Sequence, residues 1–353
     1  MKVVERHRID REHRWFVELD ELAFKSKNLY NLCTYYMRQH FFEKGRTLSA
    51  RLNIKELYAL IKPTDDYKVL PAKVSNQVIK QVIHDWTAWK KAVIAYRQEP
   101  SKFLGEPKIP KYKHKTLGRN LLTYDVQSIG QKGKKNNNGL LVLSQTNITV
   151  NTAARDVIEV RVVPSTASYV VEVVFEKPIT ITELNPKLIA GIDLGLDNLV
   201  TLVSNKPGLR PILVDGKKLK SINQGYNKRK AHLQSRLAQG KHSSKQIQQI
   251  TFKRNKRVDD YLHLTSRIVV NRLVEEEIAK LVIGQNQSWK QEIELGRINN
   301  QSFVNIPHAK LIEMITYKAQ LVGVEVVVTE ESYTSKTSFL DLEPVGKQES
   351  YPG

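Results

Sequence analysis

The chain of 353 residues has a single cysteine, Cys33, which excludes an internal disulfide framework and any cysteine-rich zinc site. No run approaches the ~18–20 unbroken apolar residues that a membrane helix needs. The amino-terminal stretch MKVVERHRIDREHRWF has no apolar core, so it does not read as a secretory signal. Acids are missing from one long stretch: residues 216–257 contain thirteen Lys/Arg and no Asp or Glu. Internal repeats are missing too. These absences lead us to expect a soluble, cytoplasmic protein with no membrane partner. At 41% apolar the chain can still fill a sizeable core, which excludes wholesale disorder.

What is present is positive charge, +20 net from 56 Lys+Arg against 36 Asp+Glu. The charge is clustered. The acid-free block is one cluster, and residues 101–139 form a second, with nine basic residues against Glu106 and Asp125. Together the two blocks account for the whole net charge. Blocks of one sign repel themselves unless a polyanion neutralises them, so nucleic acid is the expected partner. The residues expected to meet it are Lys108, Lys111, Lys113 and Lys115 in the first block, with Arg229, Lys230, Lys253, Arg254, Lys256 and Arg257 in the second.

Hydrophobic spacing divides the chain. A strand is expected over 14–18, and Asp20 is expected to cap a helix that runs to about Phe42 with Leu22, Leu29, Leu32, Tyr36 and Met37 on its apolar side. Cys33 reads there as a small packed residue. Val74, Val78, Val82, Trp86, Trp89 and Val93 recur at spacings of three and four, a second helix over 73–96. Pro107 to Lys113 reads as an extended basic strand or loop. Strands follow over 139–143, 148–151, 157–163 and 168–175, and the loop QKGKKNNNG (131–139) is expected to be mobile. The first 180 residues therefore read as a β-barrel or sandwich with a helical insertion. The proline-bearing stretch 176–187 is the expected boundary.

Beyond it, 188–193 is an apolar strand that ends on Asp193, followed by short strands over 198–203 and 211–214. A helix over about 256–280, a strand over 281–283, a helix bracketed by Pro307 as N1 and Gly323 as C′ residue, and a strand over 324–329 complete the order. Three strands, then helix, strand, helix, strand is the order of an RNase H-like domain over 187–353, with a basic helical insertion at about 216–280. The fold class is thus mixed α+β and α/β. Phosphodiester cleavage in such a domain uses two divalent ions held by carboxylates at strand ends. Asp193 is placed for that, with Gly191 and Gly195 leaving room on either side.

The run Gly191-Ile192-Asp193-Leu194-Gly195-Leu196-Asp197-Asn198-Leu199-Val200-Thr201 resembles the first RuvC motif of the TnpB (OrfB) proteins of insertion sequences, relatives of the type V CRISPR effectors. The resemblance continues in residues 257–266 (RVDDYLHLTS), in Tyr317-Lys318-Ala319 and in residues 331–338 (ESYTSKTS), and the segment from Pro107 to Lys115 resembles the family's basic Gly-Tyr-Pro-Phe-Lys-type stretch. The resemblance implies an RNA-guided DNA endonuclease with Mg²⁺ as cofactor and guide RNA and target DNA as partners. Three departures stand beside it. Residues 281–286 (LVIGQN) lack the acid usual at the end of the second RuvC strand, which leaves Glu330 or Glu331 as its replacement beside Asp193. The family's CxxC pairs are absent, so no zinc is expected. The last RuvC aspartate has no counterpart, and Asp341 is a turn residue with only twelve residues after it, so the chain reads as truncated relative to the family. Three readings remain: a nuclease that holds metal through Asp193 and a glutamate, impaired in cutting; a protein that binds RNA or DNA without cutting it; or a small basic structural protein such as a ribosomal component, which explains the charge but not the Asp193 strand.

Overall fold

The structure is a computed structural model and describes residues 1–130, 139–180, 182–285 and 306–330. The chain divides into two compact units, Met1–Lys177 and Pro178–Gly353.

The first unit opens on β1 (Lys2–Ile9). Its charged residues alternate on both faces, so the sequence carries no clear apolar stripe, yet β1 pairs antiparallel with β6 (Ser168–Glu176) along its whole length. Cross-strand charges explain the register: Arg6 Nε donates to Glu172 Oε1 at 3.0 Å, and Arg161 Nη2 lies 3.0 Å from Glu172 Oε2. The expected strand over 14–18 is not formed. Helix α1 begins there instead, at Phe16, and runs to Glu43. Asp20, expected as a cap, lies inside that helix. Arg119 donates to both of its oxygens (2.9 and 2.7 Å) and Tyr169 donates to it at 2.7 Å. The Arg119 guanidinium holds the Asp20 carboxyl below its usual range.

Helix α2 (Ile54–Ile61) starts from a capping box: Asn53 Oδ1 accepts from the Lys55 and Glu56 amides, and Glu56 Oε2 accepts from the Asn53 amide at 2.7 Å. After the short α3 (Asp65–Lys68) comes α4 (Ala72–Gln98), which buries Val74, Val78, Val82, Trp86 and Val93. Cys33 is fully buried, and burial pushes its thiol up to about 12, which makes it a packing residue.

The remaining strands are β2 (Leu122–Asp125), β3 (Leu140–Val142), β4 (Thr149–Asn151) and β5 (Val157–Ser165). They do not form a barrel. The sheet order is β1-β6-β5-β2, with β3-β4 as a separate ribbon, and no sheet closes among the described residues. The core lies between this open sheet and helices α1 and α4. The loop expected to be mobile, 131–138, lies outside the described residues.

Among the described residues Trp86 is the largest fully buried side chain, edge-on to Phe41 (centroids 5.7 Å apart) and Trp89 (5.5 Å). Trp86→Ala is expected to destabilise this unit by about 3–5 kcal/mol, because the aromatic cluster cannot collapse onto the space left behind. A urea titration followed by circular dichroism checks this; a midpoint shift equivalent to under about 1 kcal/mol would contradict the packing described.

In the second unit β7 (Asn185–Asp193), β8 (Asn198–Ser204) and β9 (Ile212–Asp215) are antiparallel neighbours. Helices α5 (Lys217–Gln234) and α6 (Lys245–Glu275) follow, then β10 (Ile278–Gly284), α7 (His308–Gln320) and β11 (Glu325–Thr329). The sheet order is β11-β10-β7-β8-β9, with β10 parallel to both β7 and β11. So β7 is the central strand.

The helix expected over 256–280 is the second arm of a helical hairpin: α6 begins eleven residues earlier, where Ser244 Oγ accepts from the Ile247 amide, and ends at Glu275, and the strand expected over 281–283 begins already at Ile278. Tyr226 and Thr251 share a hydrogen bond at 2.9 Å and Arg254 Nε donates to Asn223 at 2.8 Å, which sets α5 and α6 antiparallel. Only Leu219 and Asn223 of α5 are buried, so its apolar pattern is too thin to read as a helix from sequence. Helix α7 packs on α6 through a buried amine: Lys318 donates to Ser266 Oγ (2.6 Å) and to the His263 carbonyl (2.9 Å), and burial lowers its pKa to about 8. Among the described residues no helix is long and apolar enough to cross a membrane.

Candidate nucleic-acid interface and carboxylate site

Asp193 is the last residue of the central strand, as its sequence context requires. Its neighbour on β8 is Thr201, while the preceding Ile192 is level with Ile283 of β10. The pleat sorts the strand into two faces. Ala190 and Ile192 are buried among Leu202, Leu262, Val269 and Ile283, whereas Ile189, Gly191 and Asp193 share the open face with Val203, Leu213 and Val327. The carboxyl of Asp193 is exposed, so the strand end carries its acid on the solvated side and bears no burial cost.

The flanking glycines do different things. A side chain at Gly191 would find ordinary contact with Val203 at 3.9 Å, but at Gly195 it would meet the Asn198 carbonyl at 2.7 Å. Gly195 is therefore needed for closing the turn between β7 and β8. The buried His308 at the start of α7 approaches the Gly195 carbonyl at 3.4 Å. Asp197, four residues beyond Asp193, is engaged elsewhere: Lys220 of α5 donates to it at 2.5 Å and lowers its pKa.

Glu330 directly follows β11. Thr329 is level with Gly284 of β10, the residue beside Asp193, so two strand spacings, about 10 Å of backbone, separate β11 from β7. Glu330 is one residue further on and has the opposite parity to Asp193. Glu331 and Asp341 lie outside the described residues. Among the described residues no group of three His, Cys, Asp or Glu side chains is placed to hold a metal ion. Asp193 and Glu330 alone therefore do not complete a two-ion site.

The basic blocks are more fully built. In the first unit the segment from Pro107 to Lys115 is not a strand. It is a strap tied to α1 and α4 by its backbone: Trp89 Nε1 donates to the Pro107 carbonyl (3.1 Å), Arg38 to Pro110 (2.9 Å), Asn31 to Lys113 (2.9 Å) and Lys27 to Lys115 (2.6 Å). With its carbonyls spent inward, the strap displays Lys108, Lys111 and Lys115 to solvent. Lys113 is different: it is partly buried over the Tyr30 ring, and desolvation lowers its pKa.

In the second unit, Arg229, Lys253, Arg254 and Arg257 line one cleft of about 250 Å³ with Ile222, Tyr226 and Ile250. These residues follow i, i+3, i+4, i+7 spacing on each helix (222, 225, 226, 229 and 250, 253, 254, 257), so one face of α5 meets one face of α6. Lys230 lies at the margin, 5.9 Å from the Tyr226 ring, and Lys256 is exposed outside the cleft.

Sequence reasoning missed Tyr226, Gly225 and Lys218, although the same spacing of basic and tyrosine residues could have found them. It also missed a cleft of about 280 Å³ between α2 and α4, lined by Tyr58, Asn76, Gln77, Asp125 and the lysines Lys55, Lys73 and Lys80. Positions 73, 76, 77 and 80 are again one helix face, and Gln77 donates to Asp125 at 3.3 Å.

Comparison with known proteins adds independent findings. Residues 168–290 match the OrfB_IS605 family, described as a probable transposase, and residues 308–341 match the Cas12f1-like TNB domain. The TnpB-like protein MJ0751 of Methanocaldococcus jannaschii is 27% identical over 164 residues, 43% of this chain and 57% of that protein. The match thus spans little more than half of that relative. Among solved structures, the mini-RNA-guided endonuclease CRISPR-Cas_phi3 is similar over 96% of this chain and 86% of its own, at 9% identity and a TM-score of 0.48. The Cas12f1-sgRNA-target DNA complex is similar over 95% of this chain and 87% of its own protein chain, at 12% identity and a TM-score of 0.36.

Proposed function

The chain belongs to the TnpB family, and from that premise we propose that it holds a guide RNA and the DNA that pairs with it. The observation that carries this reading is the α5–α6 hairpin, where four Arg/Lys converge on one cleft with no acid among its lining residues. Cations packed together in this way repel one another, and the phosphates of a nucleic acid relieve the repulsion while releasing their own counterions. Lys108, Lys111 and Lys115 on the strap contribute further phosphate contacts from the first unit. Such contacts give affinity without sequence information, which pairing with a guide would supply.

The cleft between α2 and α4 adds what phosphate contacts cannot. The side-chain amides of Asn76 and Gln77 can donate to and accept from a base edge, between lysines that meet its flanking phosphates. We assign this cleft to base contact.

A second reading, metal-dependent cutting, is favoured by Asp193. A hard-oxygen donor at the exposed end of the central strand of an RNase H-like sheet suits Mg²⁺, with Glu330 or Glu331 as the further donor. The described residues do not complete that site.

The binding reading is tested by the anisotropy of a labelled single-stranded RNA and of a labelled duplex across a KCl series. Affinity is expected to fall steeply, with a log–log slope of magnitude about 4 or more for at least six phosphate contacts on a single strand. No measurable binding at low salt, or a slope near zero, would reject it.

A further inference from the structure

We propose that the seam between α5 and α6 is a track for single-stranded nucleic acid, in which nucleotide rings lie against Tyr226 and Tyr261 while their phosphates meet Lys218, Arg254 and Arg257. The proposal rests on the binding reading above and commits this surface to unpaired strand.

Three features of the seam carry it. First, two clefts open along it and are continuous: one of about 250 Å³ at Tyr226 and one of about 360 Å³ at Tyr261 share both Ile222 and Arg257. Aromatic rings and cations therefore alternate along the helix pair. Lys218 stands 5.1 Å from the Tyr261 ring and Arg254 5.8 Å from the Tyr226 ring. A duplex presents phosphates outward and keeps its bases stacked inside, so it would use the cations and leave the concave apolar lining of Ile222, Ile250 and Leu264 idle. An unpaired strand uses both, stacking its bases on the rings. Asp260 is the one acid among the lining residues, and it lies at the Tyr261 end.

Second, the seam is built before any ligand arrives. The Arg254 guanidinium is partly buried and held by two amides, its Nε donating to Asn223 Oδ1 at 2.8 Å and its Nη1 to Asn255 Oδ1 at 3.0 Å. The Tyr226 hydroxyl is bonded to Thr251, and the Tyr261 hydroxyl donates to the Asp215 carbonyl at 2.5 Å. Both rings are thus fixed by their hydroxyls, which lowers the ordering cost of stacking on them.

Third, Gly225 sits in the interior of α5, where glycine weakens a helix. A Cβ at this position would meet nothing within 4 Å, so the packing of the chain does not require glycine there. Gly225 lines the cleft beside Tyr226, and its missing side chain leaves room for a strand to approach the helix backbone.

Gly225→Leu provides the test, because it fills the cleft, improves helix propensity and removes no charge. Fluorescein-labelled oligouridine and a duplex DNA of equal length are titrated with the full chain at several KCl concentrations. Gly225→Leu is expected to lose about tenfold in affinity for oligouridine, the equivalent of one lost stacking contact, with the salt slope unchanged and duplex affinity within about twofold. Gln224→Leu, which places the same apolar side chain at the exposed neighbouring position outside the cleft, is expected to bind oligouridine like the parent chain. The track is overturned if Gly225→Leu binds oligouridine as tightly as the parent, if duplex affinity falls as far, or if Gln224→Leu loses as much. If the parent chain binds neither probe, the underlying binding reading falls instead.

Discussion

Replacing Arg229, Lys253, Arg254 and Arg257 together by glutamine is expected to weaken single-stranded RNA binding about 200-fold near 0.15 M salt. The figure follows from counterion release, in which each phosphate neutralised on a single strand contributes about 0.7 to the log–log salt slope. Four contacts therefore remove about 2.8 from that slope, and the difference between the two proteins shrinks as salt rises. Arg229, Lys253 and Arg257 are exposed and Arg254 is anchored by asparagine amides that glutamine can also engage, so the hairpin is expected to fold. The check is a pair of binding isotherms at several KCl concentrations, with circular dichroism to confirm helix content. A variant that keeps the parent slope would show that the cleft residues touch no phosphate, and the charge of this hairpin would then be a matter of solubility alone.

Asp193→Ala separates holding from cutting. With guide RNA, matched duplex DNA and Mg²⁺ present, the substitution is expected to reduce strand cleavage by at least about 10³-fold, since losing a carboxylate donor removes several kcal/mol of charge stabilisation. Affinity for RNA is expected to stay within about twofold, because Asp193 lies on the open face of the sheet and not in the α5–α6 seam. Equal cutting by both proteins would take Asp193 out of metal binding. Failure of both to cut would leave the chain a binder. Glu330→Gln and Glu331→Gln in the same assay then decide which glutamate acts with it: the strand register gives Glu330 the opposite parity to Asp193 and places its strand two positions away.

Where the sequence could be read, the reason was a local period. The spacing of Val74, Val78, Val82 and Trp86 made α4 legible because one face of that helix is in the core from end to end. The apolar run ending at Asp193 made β7 legible. The failures have the same origin. Helix α5 buries only Leu219 and Asn223, so no stripe marks it, and β1 carries charges on both faces at a sheet edge, where Arg6 pairs with Glu172. The run from Arg14 to Glu18 looks like a strand in isolation, but from Phe16 onward it is committed to α1, whose core residues lie further along the chain.

The sequence by itself determined the charge and where it lies, the types of most long elements, and a lone acid at the end of an apolar strand. Those properties belong to consecutive residues. Tertiary structure decided everything that depends on distant partners. It left the first sheet open where a barrel was expected, turned Asp193 to the solvated face, set Glu330 two strands away, and tied the lysine strap down by its carbonyls. It also folded the acid-free block back on itself, so that Arg229 shares one cleft and Tyr226 with Lys253, Arg254 and Arg257, 24 to 28 residues further along. A run of like charge in a sequence says only that a polyanion is wanted; the antiparallel pairing of two helices gives that charge a concave surface with rings in it.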